Sequence, residues 1–509
     1  MIPSETSTEI LSSDAIVIGS GMGGLTVAAL LAGDGYKTTV LEAAHVAGGC
    51  SSSFTRKGYV FESGATTLIG FDQHQPLRRL EELTGIQIPR TELSPGMTVH
   101  IDGEPVVRYK DRAQWIAEAG RVFGNPEQQR LFWETCFHVS DVVWKVSERN
   151  TSFPPQKAGD WLELMLRNNP LDALVLRYAF RSVLDVMQEF QIHTASFRRF
   201  IDEQLMITAQ ATSEEVPFLF GAAGITYTNY SNFYVEGGLL EMVRSIESFI
   251  TGRGSQVLTR RRVTGLRQDA DQNYVVETSS GQRYRAPLVY ANIPVWNMSE
   301  ITQGAMQRYF AGESARYEKA WGAFTMGIVT SDTYQSDMTL HHQIHLPEPM
   351  PGTGARSIFV SMSARGDEKR AKSGTRTLNI SCHTETAPWF ELNGAYDQTK
   401  QAVEQWILES LRRYLPGFSQ AEVLLSFGST PVTWQNWVYR KEGRVGGIPQ
   451  SMKRSLLDWS AAMPPFEGLY LCGDTVYPGQ GIPGVTLSGI NVYYRSEKIR
   501  KKRTSVNRR

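Results

Sequence analysis

Residues 14–24 read Asp-Ala-Ile-Val-Ile-Gly-Ser-Gly-Met-Gly-Gly, an apolar run closing on a cluster of glycines, and the stretch from Met22 to Gly33 is rich in Ala and Leu. This pattern predicts a short buried β-strand, a tight turn and a helix. Gly19 permits the turn, Gly21 lets the backbone approach a pyrophosphate with no Cβ in the way, and Gly24 lets helix and strand pack closely. Met22 and Gly23 open the helix, whose N-terminus faces phosphate with partial positive charge. Lys37 to Leu41 reads as a second strand ending at Glu42, about twenty residues past the glycines, where an acid accepts from both ribose hydroxyls and disfavours a 2′-phosphate. FAD and NAD both fit this βαβ unit.

A second segment with the same character stands near the other end of the chain. Leu469-Tyr470-Leu471-Cys472-Gly473-Asp474 reads as a buried strand closing on an acid, followed by a Pro/Gly loop from Pro478 to Gly484 and a helix. Asp474 suits ribityl hydroxyls. The helix start at Gly481, Ile482 and Val485 offers backbone donors to phosphate or to a flavin ring edge. As paired catalytic carboxylates Glu42 and Asp474 are less suitable, because each ends a nucleotide-binding strand.

Composition narrows the class. A chain of 509 residues suggests about three domain-sized units. With 41% hydrophobic and 20% charged residues, disordered and fibrous architectures are poor fits. Lys plus Arg equals Asp plus Glu at 52 each, so no nucleic-acid partner is expected. From Arg495 to Arg509 there are eight basic residues against Glu497 alone, a basic tail on a mildly acidic body. Cys50, Cys136, Cys382 and Cys472 lack CxxC spacing, which points to a reducing compartment with neither zinc nor disulfides. The acidic first residues and the glycine-broken run from Ala15 to Ala32 fit neither a signal peptide nor a membrane span.

Gly48-Gly49 follows Glu42, and Phe61-Glu62-Ser63-Gly64-Ala65-Thr66-Thr67 follows a short predicted strand. Here the sequence resembles the flavin-containing amine oxidase and phytoene desaturase superfamily, in which a Gly-Gly step and an FDxG-like segment wrap FAD. The resemblance implies FAD contacts at Gly48, Gly49, Gly64, Ala65 and Thr66, and at Val263, the position whose backbone usually meets the adenine. Glu62 replaces the usual Asp, and Cys50 stands where many relatives carry Arg; neither inherits a flavin contact.

The expected fold is α/β: a Rossmann-like FAD-binding domain of amine oxidase type, a discontinuous α+β substrate domain and a helical, membrane-facing cap. The alternation around Asp102-Gly103 predicts a hairpin from Thr98 to Tyr109, and helical spacing runs from Asp111 to about Thr212. The expected division is 1–95, 226–297 and 436–509 for the FAD-binding domain with its basic tail, 96–225 for the helical cap of the substrate domain, and 298–435 for its sheet.

The run GDTVYPGQGIPGVTLSG from Gly473 to Gly489 is similar to the carotenoid desaturase and isomerase branch. Residues 48–67, 201–224 and 430–450 look like the bacterial carotenoid 3,4-desaturases. The resemblance implies 3,4-desaturation of an acyclic, monocyclic or 1-hydroxylated carotenoid, with hydride passing to flavin N5 and electrons onward to quinone or oxygen. Alternatives are a carotenoid cis-trans isomerase using reduced FAD, a polyene-saturating reductase like retinol saturase, and a lipid-carrying chaperone of the dissociation-inhibitor type.

No general acid or base is identified. Trp434, Trp437 and Arg440 are candidates for the substrate cavity: the aromatics to stack on a polyene, Arg440 or Arg444 to bind a hydroxyl or phosphate, with a solvated surface position as the default for either Arg. His341 and His345 invite a metal reading, but His342 and Pro347-Glu348-Pro349 favour a loop, and no metal is expected. An insoluble polyene calls for a cytoplasmic enzyme peripheral on a membrane. Trp161 to Leu166 and Leu171 to Phe180, interspersed with Arg167, Arg177 and Arg181, fit interfacial helices that would admit the substrate, and the basic tail would meet anionic lipid.

Overall fold

The computed structural model describes residues 9–155, 158–455 and 457–507, with side chains to Arg503. Residues 1–8 of the expected first segment, and Arg508 and Arg509 of the basic tail, lie outside the described residues. Five parallel strands form the sheet that the opening motif predicts, in the order Gln256–Leu258, Thr38–Leu41, Ala15–Ile18, Leu288–Ala291 and Leu469–Leu471. The three central strands are buried along their whole length, and their composition is apolar apart from Thr38 and Thr39. The helix Met22–Gly33 is apolar on every side because helices Leu240–Thr251 and Ile482–Arg495 also pack on it. A Cβ on Gly489 would come within 2.5 Å of the Gly23 carbonyl, so that close crossing requires glycine.

A four-stranded sheet, Ile10–Ser12, Arg283–Ala286, Tyr274–Thr278 and Val263–Gln268, flanks this unit. The third layer is a seven-stranded sheet ordered Val423–Ser429, Trp321–Ser331, Thr375–Glu385, Ser357–Met362, His341–His345, Met97–Ile101 and Glu104–Arg108. Its last two strands are the predicted hairpin. Asp102 and Gly103 both have positive φ, 53° and 83°, as a tight two-residue turn requires.

His341 to His345 is a strand paired on both sides, which corrects the loop expected there. The pleat turns alternate histidines to opposite faces, so His341 bonds Ser361 while His342 bonds His100. Among the described residues no group of His, Cys, Asp or Glu is arranged to hold a metal.

Residues 112–209 form helices around a core that includes Trp115, Trp133, Phe197 and Phe200. The helix Ala158–Arg167 contributes nothing buried to it, and Trp161, Leu162, Met165 and Leu166 are exposed. Val175 and Tyr178 turn inward, whereas Leu171, Leu174, Leu176 and Phe180 face outward. No helix among the described residues is long and apolar enough to cross a membrane.

Candidate functional site

Where the parallel sheet meets the seven-stranded sheet lies a cavity of about 640 Å³. Its first wall is the predicted dinucleotide turn. Gly19, Gly21, Met22 and Gly23 line it, with Gly19 at φ 89°. The glycines also make room for a side chain not singled out in the sequence, Asn292 at the end of strand Leu288–Ala291. A Cβ would stand 2.6 Å from its Nδ2 at Gly21, 2.7 Å from its Oδ1 at Gly23 and 3.0 Å from its Oδ1 at Gly473. Gly24 lies outside the lining. A Cβ there would come within 2.3 Å of the Gly19 carbonyl, which is the strand–helix contact predicted for it.

Glu42 lines the cavity at the end of its strand. Its Oε2 accepts from the Ser20 amide at 2.8 Å and the Ser20 hydroxyl at 2.6 Å, and Oε1 accepts from the Ala44 amide at 2.8 Å. The Arg261 amide donates to the Glu42 carbonyl at 2.7 Å, which brings the neighbouring Val263 into the same lining. Gly48, Gly49, Gly64 and Thr66 complete this half. Ala65 stands behind it, its amide donating to the Cys50 carbonyl at 2.8 Å.

Glu62 explains its own departure from the family pattern. Its carboxylate pairs with Arg370 at 3.2 Å, both side chains 4% exposed or less, and accepts from Ser53 Oγ at 2.7 Å. Burial raises its pKa, and Arg370 opposes that shift. The longer acid therefore ties the hairpin Ser53–Glu62 to the loop before strand Thr375–Glu385.

Gly473, Asp474 and Val485 come from the C-terminal motif to the same cavity. Gly481, at φ 84°, precedes the helix, and Ile482 is buried behind the lining. Neither this helix nor Met22–Gly33 has a side-chain cap at its N-terminus, so both leave backbone N–H groups for an anion. Two uncapped helix ends and a glycine cradle too tight for a Cβ fit FAD.

The three substrate-cavity candidates separate. Trp434, on helix Pro431–Val438, is 5% exposed and packs so near Gly64 that a Cβ there would lie 2.7 Å from its ring. Trp437 stands at the rim, 69% exposed. Arg440 corrects the solvated default: its side chain is 11% exposed and its Nη2 meets Asp474 Oδ2 at 2.7 Å. Arg444 is equally covered, pairs with Glu442 at 2.6 Å and lies outside the lining.

The far half of the cavity was not legible beforehand. Ser429, Thr325 and Ser381 face one another across three adjacent strands, and all three line it. The next row in the same register is Phe427, Gly327 and Asn379. A Cβ on Gly327 would stand 2.4 Å from Phe427 and 2.9 Å from Phe61, so this strand glycine admits an aromatic cluster. Phe54, Phe61 and Phe427 pack with ring centroids 5.0 to 6.1 Å apart. No described residue between 67 and 261 lines the cavity, so the helical insertion, expected to admit substrate, stands apart from these walls.

Residues 22–492 match the family described as flavin containing amine oxidoreductase. The chloroplastic prolycopene isomerase of Daucus carota is 24% identical over 500 residues, 95% of this chain and 79% of its own. The neurosporene-forming phytoene desaturase of Rhodobacter capsulatus is 24% identical over 506 residues, 93% of this chain and 92% of its own. Among solved structures, an oxidoreductase from Methanosarcina mazei superposes with a TM-score of 0.62 at 18% identity, covering 95% of this chain and all of its own. The chain belongs to the flavin-containing amine oxidoreductase family and is an FAD-dependent oxidoreductase.

Proposed function

We propose that this flavoenzyme acts on a carotenoid polyene and desaturates it, with 3,4-desaturation of an acyclic, monocyclic or 1-hydroxylated carotenoid as the specific reaction. The observation that carries this reading is the continuity of one cavity from the glycine wall to the aromatic face around Phe54, Phe61 and Phe427. The two carotenoid relatives support the substrate class. Their equal identity to this chain makes cis-trans isomerisation the second reading.

In this reading Met22 and Gly23 present N–H groups to the diphosphate, Glu42 holds the ribose, Val263 meets the adenine and Asp474 takes the ribityl chain. Gly48, Gly49, Gly64, Ala65 and Thr66 wrap the cofactor, and the helix start from Gly481 through Ile482 to Val485 faces the ring edge. Bound FAD supplies a hydride acceptor at N5. The chain's contribution is positional: the phenylalanines and Trp434 hold a CH2 of the polyene in place and exclude water. Because conjugation delocalises the developing cation, the proton on the adjacent carbon leaves without a strong base. Quinone or oxygen then takes the electrons.

The division into units follows the same reading. The described residues of segments 1–95, 226–297 and 436–509 build the flavin unit, 298–435 supplies five strands of the seven-stranded sheet, and 96–225 supplies its remaining hairpin, residues 97–108, together with the helical cap. We infer that the outward apolar face of residues 161–180 rests on a membrane surface, anchoring the protein rather than forming the cavity wall. The basic tail, which includes helix Glu497–Asn507, would add attraction to anionic lipid.

The test is pigment analysis by liquid chromatography and mass spectrometry in cells accumulating lycopene or 1-hydroxylated lycopene, with Gly21→Val as control. A product lighter by two hydrogens, absent in the control, is expected. A product of equal mass and altered retention would select the isomerase, and one heavier by two hydrogens a reductase. No change in a protein that carries FAD would overturn the carotenoid reading.

A further inference from the structure

The cavity is rich in carboxylates at its cofactor end and short of buried cations. Glu42 and Asp474 both line that end, while Arg56 and Arg262 are exposed and lie over the rings of Phe427 and Tyr439, at 4.1 and 4.8 Å. Arg440 is the covered guanidinium in the lining. One of its nitrogens meets Asp474 and another the Arg444 carbonyl, and its remaining N–H groups have no partner among the described residues.

Its place relative to the dinucleotide turn is fixed through Cys50. Gly48 bridges to Gly21, and a Cβ on Gly49 would lie 3.3 Å from the Gly21 Cα, so Cys50 directly flanks the turn. Glu42, Cys50, Arg440 and Asp474 all line this cavity, and a Cβ on Gly64 would stand 3.3 Å from Cys50 Cβ and 2.7 Å from Trp434, whose helix leads into Arg440. Burial raises the Cys50 pKa and Arg440 opposes that shift. A diphosphate set between two carboxylates and a neutral thiol needs a counter-charge beyond the partial charge of a helix end.

We propose that Arg440 supplies that charge, reaching from the loop after helix Pro431–Val438 across the cavity to the diphosphate of FAD, with Asp474 holding the guanidinium in position. A planar guanidinium suits the task, since it serves a carboxylate with one edge and phosphate oxygens with the other. Cys50, beside the turn, then needs no cation in its place. The inference rests on FAD lying in the cavity as proposed above, and is independent of what the enzyme does to a polyene.

The experiment titrates deflavinated protein with FAD, following flavin fluorescence, and with ADP as a competitor that carries the diphosphate without the flavin ring. Arg440→Met and Arg440→Gln are expected to weaken FAD by about tenfold or more, as loss of a charged hydrogen-bond partner does. ADP should weaken by the same factor. Arg440→Gln retains a donor for Asp474, so it reads the charge even if Arg440→Met fails to fold. Adding Cys50→Arg to either variant should restore FAD and ADP affinity toward the wild-type value. Unchanged affinity for both ligands would overturn the proposal. So would loss of FAD affinity with ADP unaffected and no rescue by Cys50→Arg, which would put Arg440 at the flavin ring. Gly21→Val separates the two levels: if it binds FAD normally, the placement of the cofactor is wrong; if it loses FAD while the Arg440 variants keep it, only the role of Arg440 is wrong.

Discussion

The two ends of the cavity are built in opposite ways. The cofactor end is made of consecutive residues: a strand, a glycine turn and a helix start, supplied once by residues 15–24 and again by residues 469–485. The far end, where we propose the polyene lies, is made of single side chains from strands far apart in sequence, such as Phe54, Phe61 and Phe427. A phosphate is bound by backbone N–H groups, which demands local geometry and leaves a local signature. A hydrocarbon needs only shape and apolar surface, which any strand of suitable register supplies.

The sharpest way to break this contrast is at the glycine turn. Gly21→Val places a side chain against Asn292 where the backbone must meet the diphosphate, and flavin absorbance of the purified protein should fall to background. Retained FAD would show that the two ends are not specialised as described. Next in size is the link between them. Arg370→Met leaves the Glu62 carboxylate buried without its partner, and equilibrium unfolding should report a loss of about 3–5 kcal/mol. A change within experimental error would mean that the hairpin is held to the sheet by packing alone.

At the far end, Gly327→Val drives a branched side chain into Phe427 and Phe61. Turnover should fall by about tenfold or more through misplacement of the substrate, at normal FAD content. Loss of flavin in this variant would merge the two ends into one. The smallest effect lies within the seven-stranded sheet, where burial pushes His341 down to about 4 and His342 to about 3. The folded state therefore binds fewer protons than the unfolded chain below about pH 6.5. Stability should decline as pH falls through that value, on the order of 1 kcal/mol per histidine by pH 5.5, as denaturant midpoints would report. A flat profile would contradict the buried, neutral state of these rings.

The same contrast explains what was legible in the sequence. Gly19, Glu42, Asp474 and the hairpin at Asp102-Gly103 each follow from neighbours within a few residues, and each stands where the pattern predicts. Asn292 escaped notice because its importance is the space that glycines elsewhere leave for it. Arg370 belongs to Glu62 only through a chain separation of about three hundred residues. Gly327 carried a usable signal, since a glycine inside a strand marks a close approach. The histidine strand was misread because proline-rich sequence follows it, whereas pairing with Met97–Ile101 and Ser357–Met362 decides its conformation.

The central claim is that one cavity brings a polyene to FAD. Its most direct test is anaerobic mixing of the FAD-loaded protein with lycopene-bearing or 1-hydroxylycopene-bearing vesicles, following the visible flavin band. The account predicts that the carotenoid bleaches the band in the wild-type protein, and that Gly327→Val keeps the band but is not bleached at a comparable rate. A wild-type flavin that stays oxidised with both carotenoids, or equal bleaching in the two proteins, would contradict it.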